Sequence, residues 1–486
     1  MGSEATNKSI YFVGIGGIGM SALARYFLHE GRKVGGYDKT STVLTQALER
    51  EGAAVHYDDS VAMIPEEFKD PATTVVIYTP AIPANHTEMK FFEEGGFEIL
   101  KRSQMLGVLT EGKYVMAVAG THGKSSTSTM VSWFNSETEG EEGRGCAILG
   151  AISKNFESNL VLGGGDRVVV EADEYDRSFL RLAPDVAVVT SVDPDHLDIY
   201  GTYDAVKEAF AQFVDRIKKG GSLILKREVM AEQKVEIRNG AISVYSYSAD
   251  EDDSQSDFHI ENLELLRNGH YRFDIIMPEG GRIDRCTLGV LGRVNVENCV
   301  AAVASMWCAA KRDGKELDIE RLKGAIESFS GVKRRWEIYH SSQSGLYMDD
   351  YAHHPREIGA TLSSLREILQ GRHLTAIFQP HLYSRTNDLY KEFAESLSIA
   401  DRVILLPIYP AREEPMEGVS SQMIAELVTT NKAPEIVPRM EIAEHLKGLE
   451  PLDVVVTIGA GDIDLHCAEI AEIVATNAAK MEAKKE

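Results

Sequence analysis

The sequence is short of several things at once. Among its 486 residues there are five cysteines, Cys146, Cys286, Cys299, Cys308 and Cys467, with no CxxC pair among them. An odd, scattered set argues against a disulfide framework or a zinc site and suits a reducing compartment. Long apolar runs are missing too. The longest uncharged apolar stretch, residues 299–310, falls far short of the roughly 20 residues that span a bilayer. The opening Met1-Gly2-Ser3-Glu4 has no signal-peptide pattern, so a cytoplasmic location and no membrane insertion are expected. Basic charge is scarce: 51 Lys and Arg stand against 75 Asp and Glu, a formal charge of −24. Such a chain repels phosphate backbones in the mean, and no nucleic-acid partner is expected. A local cluster of cations or backbone amides can still hold a small anion. What is present, 43% hydrophobic residues over this length, suffices for three or four domains.

Apolar runs divide the chain into three α/β series. In the first, strands at 10–15, 32–37 and 75–78 alternate with a helix at 18–30, the pattern of a doubly wound domain that ends near residue 110. The second begins at 114–119 and continues through strands at 167–171, 186–190 and 222–225. Residues 137–145 and 249–257 read as surface loops, and 258–290 alternate like a small antiparallel sheet before a helix at 295–312. The third starts around Gly331, with strands at 346–350, 374–378, 403–407 and 454–458 and helices at 356–370 and 387–399. Residues 473–486 read as a helix with a frayed end.

Three groups of residues carry chemistry. Gly14, Gly16, Gly17 and Gly19 follow the first strand, and Asp38 ends the second. Glycines there allow a tight turn and the approach of a diphosphate to a helix N-terminus. The pattern alone fits a dinucleotide, another diphosphate ligand, or close helix–strand packing. Next, Gly120-Thr121-His122-Gly123-Lys124-Ser125-Ser126 follows the 114–119 strand. Its amides can cradle phosphates, its lysine can reach the terminal ones, and its serine can ligate Mg²⁺. Val118 stands where the first glycine of the common spacing would be, so this is a shorter loop. An ATP-binding domain is the expectation. The third group is carboxylates and histidines at strand ends: Glu171, Asp173 and Glu174, then Asp193, Asp195, His196 and Asp198. Carboxyl ends of parallel strands face the ligand crevice, so both sets should flank the phosphate loop. Glu171 is suited to Mg²⁺, whereas His196 is either a ligand or a structural hydrogen bonder.

Further along lie Lys333-Arg334-Arg335, Asp349-Asp350-Tyr351-Ala352-His353-His354-Pro355, and residues 379–386 with His381 and Arg385. The arginines suit a γ-phosphate clamp or a solvated basic face. A metal site at His353-His354 is not expected, because adjacent side chains diverge.

Together these motifs resemble the Mur ligases. GIGGIGM at 14–20, AGTHGKSS at 119–126, EADEYDRSFL at 171–180 and DPDHLDIY at 193–200 carry the resemblance, with GRVNVEN at 292–298, DDYAHHP at 349–355, QPHLYSRT at 379–386 and GAGDI at 459–463. It implies an α/β fold of three domains: a Rossmann-like one at 1–110 for a UDP-sugar, a central P-loop ATPase-like one at 111–330 with a small antiparallel sheet, and a C-terminal Rossmann-like one at 331–486. It implies an ATP-dependent ligase, with two Mg²⁺ ions, that adds L-alanine to the carboxylate of UDP-N-acetylmuramate through an acyl phosphate. The rival branch would attach a cell-wall tripeptide to the same sugar. A monomer or weak homodimer is expected.

By the same resemblance Lys124 binds β- and γ-phosphates. Ser125, Glu171 and His196 hold metal. Asn295 and Asn298 contact the nucleotide, as do Arg335 and Asp350. His353 and Arg385 lie by the incoming amino acid. The UDP-sugar falls to Gly14, Gly16, Gly17, Gly19 and Asp38, with the glycine loop taking its diphosphate. Two positions depart from the pattern: Val294 replaces a histidine common in relatives, and Leu382 a basic residue found in some. Lys207 reads as a surface residue rather than a carbamylated metal-site lysine.

Overall fold

The computed structural model describes residues 8–83, 85–369, 371–411 and 413–483, apart from the side chain of Asp198, and within them the strands form four sheets. The opening Met1–Glu4, the end of the helix expected to residue 370 and the last three residues of the expected frayed helix lie outside the described residues.

The first sheet runs Ala54–His56, Val34–Tyr37, Ser9–Val13, Thr74–Tyr78, Glu98–Lys101, all parallel. Ile10, Tyr11, Phe12 and Val13 are all buried, as a central strand covered on both faces requires. The strand order reverses between Ser9–Val13 and Thr74–Tyr78, so the glycine loop that follows Val13 opens at the switch point. Beneath it the core is not purely apolar. The Tyr11 hydroxyl donates to Glu88 Oε2 at 2.8 Å and lies 2.7 Å from His56 Nε2, with Glu88 fully buried. Burial pushes the Glu88 carboxyl up to about 7 despite the tyrosine's hydrogen bond.

The second sheet has seven strands in the order Ser243–Tyr247, Ser222–Lys226, Val186–Val189, Tyr114–Ala119, Arg167–Glu171, Cys146–Ser153, Ser158–Val161. All neighbours are parallel except the last pair, an antiparallel hairpin. The central strand Tyr114–Ala119 is buried throughout, and its two partners end at Glu171 and just before Thr190. This topology gathers the phosphate loop and both carboxylate segments at one sheet end. A three-stranded sheet of sequential strands follows, His259–Leu265, Tyr271–Ile276 and Arg282–Thr287. The fourth sheet runs Glu337–Ser341, Leu346–Asp350, Val454–Ile458, Leu374–Phe378, Arg402–Leu405, Glu435–Ile436, with only the first pair antiparallel.

The chain divides into two compact units. One comprises residues 1–262, 273–286 and 298–330; the other comprises 263–272, 287–297 and 331–486. Within the first unit the two parallel sheets are tied together. Asn159, on the hairpin, accepts from Arg25 Nη1 at 2.5 Å and donates to the Ile18 carbonyl at 2.6 Å.

One expectation is corrected. Residues 137–143 are not a surface loop but the last turns of the helix Lys124–Gly143, interrupted only at Gly140 (φ 71°, ψ −173°). The charged composition misleads because these residues find partners: Thr138 Oγ1 donates to the Phe134 carbonyl within the helix at 2.7 Å, and Glu139 pairs with the buried Arg167 of a neighbouring strand at 2.8 Å. Residues 249–257 do form a loop, held by its own carboxylates. Asp257 accepts from the Ser246 N–H at 2.7 Å, and Asp253 from the Ser256 hydroxyl at 2.7 Å.

Candidate active site

The phosphate loop grows out of a buried strand and enters a helix. Gly120 takes φ 132° and leaves no room for a side chain, since a Cβ there would lie 2.1 Å from Thr190 Oγ1. Gly123, at φ 82°, caps the helix Lys124–Gly143, and a Cβ on it would meet Asn298 Oδ1 at 2.9 Å. Both positions need glycine for backbone and for space. The loop is pinned by the neighbouring strand end. Thr121 N–H donates to the Ser191 carbonyl (3.1 Å), His122 N–H to Ser191 Oγ (2.8 Å), and Asp193 N–H to Thr121 Oγ1 (2.9 Å). His122 Nε2 stands 3.5 Å from the buried Asp193 carboxylate. Ser125 is buried in the first helical turn and Ser126 is half-buried beside it.

Lys124 turns back over the loop. Its ammonium donates to the Gly120 carbonyl at 2.7 Å and pairs with Glu174 Oε2 at 2.8 Å. Burial alone would lower this lysine, but Glu174, followed by Asp173 and Glu171, outweighs burial and holds it up at about 12. It is therefore a fixed cation. Glu171 ends its strand with Oε2 3.2 Å from the Gly150 N–H, in space that a Gly150 side chain would fill, 2.3 Å from that oxygen. His196 has left-handed backbone (φ 54°), with Nε2 3.8 Å from Glu174 Oε1 and 3.7 Å from Asp195 Oδ2. Tyr200 donates to the Glu174 carbonyl at 2.5 Å and fixes that segment from below. Asn298 accepts from Thr127 Oγ1 at 3.1 Å. The fold thus brings Lys124, Ser125, Glu171, His196 and Asn298 to one end of the central sheet. Among the described residues no group of three or more His, Cys, Asp and Glu forms a metal cluster.

The glycine loop lies in the same unit. Gly14 (φ 90°) and Ile15 donate to the Tyr37 carbonyl, and Gly16 N–H donates to Asp38 Oδ2 at 2.8 Å. Gly17 caps the helix Ile18–His29 without any side-chain cap, and Gly19 sits in its first turn. Lys207 is half-exposed and pairs with Asp204 at 2.7 Å.

The remaining predicted residues belong to the second unit. Arg335 lies 5.0 Å from the Tyr351 ring centroid, with Nη1 3.8 Å from Glu357 Oε1. Arg334 covers the same ring at 5.1 Å but is committed to Asp349 (3.0 Å) and the Gly459 carbonyl (2.7 Å). Asp350 is buried and accepts from Thr361 Oγ1 at 2.5 Å; burial pushes its carboxyl up to about 6 despite Arg335. His353 Nδ1 is 3.6 Å from Glu357, and its ring lies 6.3 Å from that of His381. His354 caps the helix Pro355–Ile368, which is why the adjacent histidines do not act together. Arg385 is half-buried in the first turn of the helix Tyr383–Leu397. Asn295 donates to the Leu291 carbonyl at 2.7 Å.

Several participants escaped the sequence reading. Glu174 was visible as one carboxylate among several, yet its ion pair with Lys124 depends on the fold. Arg102 carried no local signal: its partner Asp173, at 3.0 Å, is 71 residues away.

Three family models cover most of the chain: Mur ligase family, catalytic domain, over 9–114; Mur ligase middle domain over 118–306; and Mur ligase, glutamate ligase domain, over 334–461. A UDP-N-acetylmuramate–L-alanine ligase of Phocaeicola vulgatus is 46% identical over 467 residues, 96% of this chain and 98% of its own. One of Porphyromonas gingivalis is 44% identical, covering 94% and 97%. Among solved structures, UDP-N-acetylmuramate–alanine ligase from Thermotoga maritima superposes with TM-score 0.75 at 24% identity, covering 98% and 99%. A murein peptide ligase from Psychrobacter arcticus gives 0.68 at 21%, covering 97% and 98%. On identity and coverage of this order, the chain belongs to the Mur ligase family.

Proposed function

We propose that the chain is the ATP-dependent ligase that joins L-alanine to the carboxylate of UDP-N-acetylmuramate in peptidoglycan precursor synthesis. The observation that carries this reading is near-full-length similarity to ligases of that name, 46% over 96% of the chain. A phosphate loop with a half-buried, permanently charged lysine supports it. A carboxylate is a poor acylating agent. Its oxygen attacks the γ-phosphorus of ATP, ADP leaves, and an acyl phosphate forms. The alanine nitrogen then attacks the acyl carbon, phosphate leaves with the former carboxylate oxygen, and the nitrogen loses a proton. Both steps bring anions together, so the protein's work is positioning and neutralisation.

In this reading the phosphate-loop amides and Lys124 hold the ATP phosphates, with Lys124 leaving Glu174 to do so. Asn295, Asn298, Arg335 and Asp350 serve the nucleotide. Gly14, Gly16, Gly17, Gly19 and Asp38 serve the UDP-sugar, and His353 and Arg385 the amino acid. The donors at the loop suit Mg²⁺: a buried serine hydroxyl and a carboxylate set in a glycine-made recess, with phosphate oxygens to complete the shell. We assign Ser125, Glu171 and His196 to two such ions, which when bound neutralise charge on the transferring phosphoryl group. The segments 1–110, 111–330 and 331–486 are the proposed domains. A cytoplasmic monomer or weak homodimer fits the reading; no described helix is long and apolar enough to cross a membrane.

Phosphate release from ATP and Mg²⁺ with UDP-N-acetylmuramate tests it, with L-alanine compared against the cell-wall tripeptide. Release with alanine, and a product heavier by one alanyl residue, is expected. Release only with the tripeptide would transfer the chain to the peptide-ligase branch.

A further inference from the structure

Two cations stand where helix electrostatics disfavour them. Lys101 is the N-cap and Arg102 the first residue of the helix Arg102–Thr110. A helix N-terminus carries partial positive charge, so basic residues there cost stability and acidic ones are preferred. Arg102 also reaches a second N-terminus. Its Nη1 lies 2.5 Å, and its Cδ 3.2 Å, from where a Cβ on Gly19 would be, over the first turn of the helix Ile18–His29. That helix has neither a side-chain cap nor an acidic residue in its first turn. Two helix N-termini and a guanidinium thus meet beside the glycine loop, with a second cation next in sequence, in a chain whose net charge is −24.

What balances them comes from a distance. Asp173 Oδ2 accepts from Arg102 Nη2 at 3.0 Å, and Asp176 Oδ2 from Lys101 Nζ at 3.0 Å. The same segment sends Glu174 to Lys124 of the phosphate loop. Asp176 and Arg177 sit in the left-handed region at φ 53° and 54°. Such backbone costs about 1 kcal/mol or more per non-glycine residue and persists where surrounding contacts enforce it. Three carboxylates on four consecutive residues therefore each hold a cation: Lys124 of the phosphate loop, Arg102 over the helix that follows the glycine loop, and Lys101 beside Arg102 in sequence. Both loops are built for phosphates, and a carboxylate is the internal anion nearest to one in charge and hydrogen bonding. Asp38 offers no alternative partner for the diphosphate, since it is itself anionic and already takes the Gly16 amide.

We propose that Arg102 is a substrate-binding residue, the cation that clamps the diphosphate of the sugar nucleotide against the first turn of the helix Ile18–His29, and that Asp173 is the stand-in it releases on binding. The proposal rests on the reading that the glycine loop takes the UDP-sugar.

Calorimetric titration of the full chain with UDP-N-acetylmuramate and with UDP, and separately with ATP, tests it. Arg102→Met should weaken both uridine ligands about 10–100-fold, the worth of a charge-assisted pair, and leave ATP affinity within about threefold. Arg102→Lys should fall between wild type and Arg102→Met. Asp173→Asn, which frees the guanidinium, should bind the uridine ligands as tightly as wild type or a few-fold tighter. Wild-type affinity in Arg102→Met overturns the proposal and leaves the glycine-loop reading standing. Equal weakening in Arg102→Met and Asp173→Asn overturns it as well, because the pair would then be structural. A wild-type chain that binds neither uridine ligand removes the reading beneath it. Should Arg102→Met fail to fold, Arg102→Lys and Asp173→Asn decide between the same outcomes.

Discussion

The glycine loop and the phosphate loop are two versions of one design, and they differ in where the charge comes from. Each follows a buried parallel strand, turns through a glycine at positive φ, and ends on a helix N-terminus. The phosphate loop carries its own cation, Lys124, as the first residue of its helix. The glycine loop carries none, and the arginine that lies over its helix, Arg102, belongs to another helix. The floors differ as well. Under the phosphate loop the strand is apolar from Val115 to Ala119, whereas under the glycine loop it contains Tyr11 bonded to a buried carboxyl. A loop with a built-in cation can hold a phosphate by itself, while one without depends on the rest of the fold to complete it.

The sharpest test of the comparison is removal of the built-in cation. Lys124→Ala should reduce turnover about 10³-fold or more, judged by phosphate release, because the developing phosphoryl charge loses its nearest fixed partner. UDP binding, measured by calorimetry, should stay within about twofold. Loss of both would mean that the two loops are not separate sites. Next comes Gly120→Ala, which must place a Cβ 2.1 Å from Thr190 Oγ1 at φ 132°. It should cost about 2–4 kcal/mol in chemical denaturation through clash and backbone strain together.

The floor of the glycine loop gives a pH-dependent contrast. Glu88 has its carboxyl raised from 4.5 to about 7 by burial, so its contribution to stability is full below pH 4.5 and is lost as pH rises through 7. Glu88→Gln should remove that slope, which amounts to at most about 3 kcal/mol between pH 5 and pH 8. Denaturation at both pH values should show the variant gaining on wild type at pH 8; a gain at pH 5 instead would reverse the assignment. The smallest effect is expected at Gly17, whose φ of −62° is ordinary and where a Cβ would meet only contacts of 3.7 Å or more. Gly17→Ala should cost no more than about 1 kcal/mol, the difference between these residues as a helix cap. Its melting temperature should therefore sit much nearer wild type than that of Gly120→Ala.

The parts that were legible in the sequence are those that depend on neighbours in the chain. Buried parallel strands read as unbroken apolar runs, and those at Tyr114–Ala119, Arg167–Glu171, Leu346–Asp350, Leu374–Phe378 and Val454–Ile458 have the expected bounds. The phosphate loop was visible because its glycines, lysine and serine are contiguous. Edge strands were not: Glu98–Lys101, Ser158–Val161 and Glu337–Ser341 alternate too briefly, or carry too many polar residues, to stand out. Residues 137–143 read as a loop because charge and glycine mimic one, while the buried Arg167 that rewards Glu139 lies 28 positions further on. Arg102 fails for the same reason. Its chemistry arises from packing against Gly19 and Asp173, and neither separation has a sequence period.

The ties around Asn159 set the unit of exchange for this protein. Arg25 and the Ile18 carbonyl both bond to that one buried asparagine, and Lys101 and Arg102 bond to Asp176 and Asp173. A chimera that replaced only the first 110 residues with those of another ligase would bring in a segment whose first helix and cations had lost their counterparts. Recombination that preserves activity must carry segments 158–161 and 173–176 along with it, so the heritable module is larger than the sheet it serves.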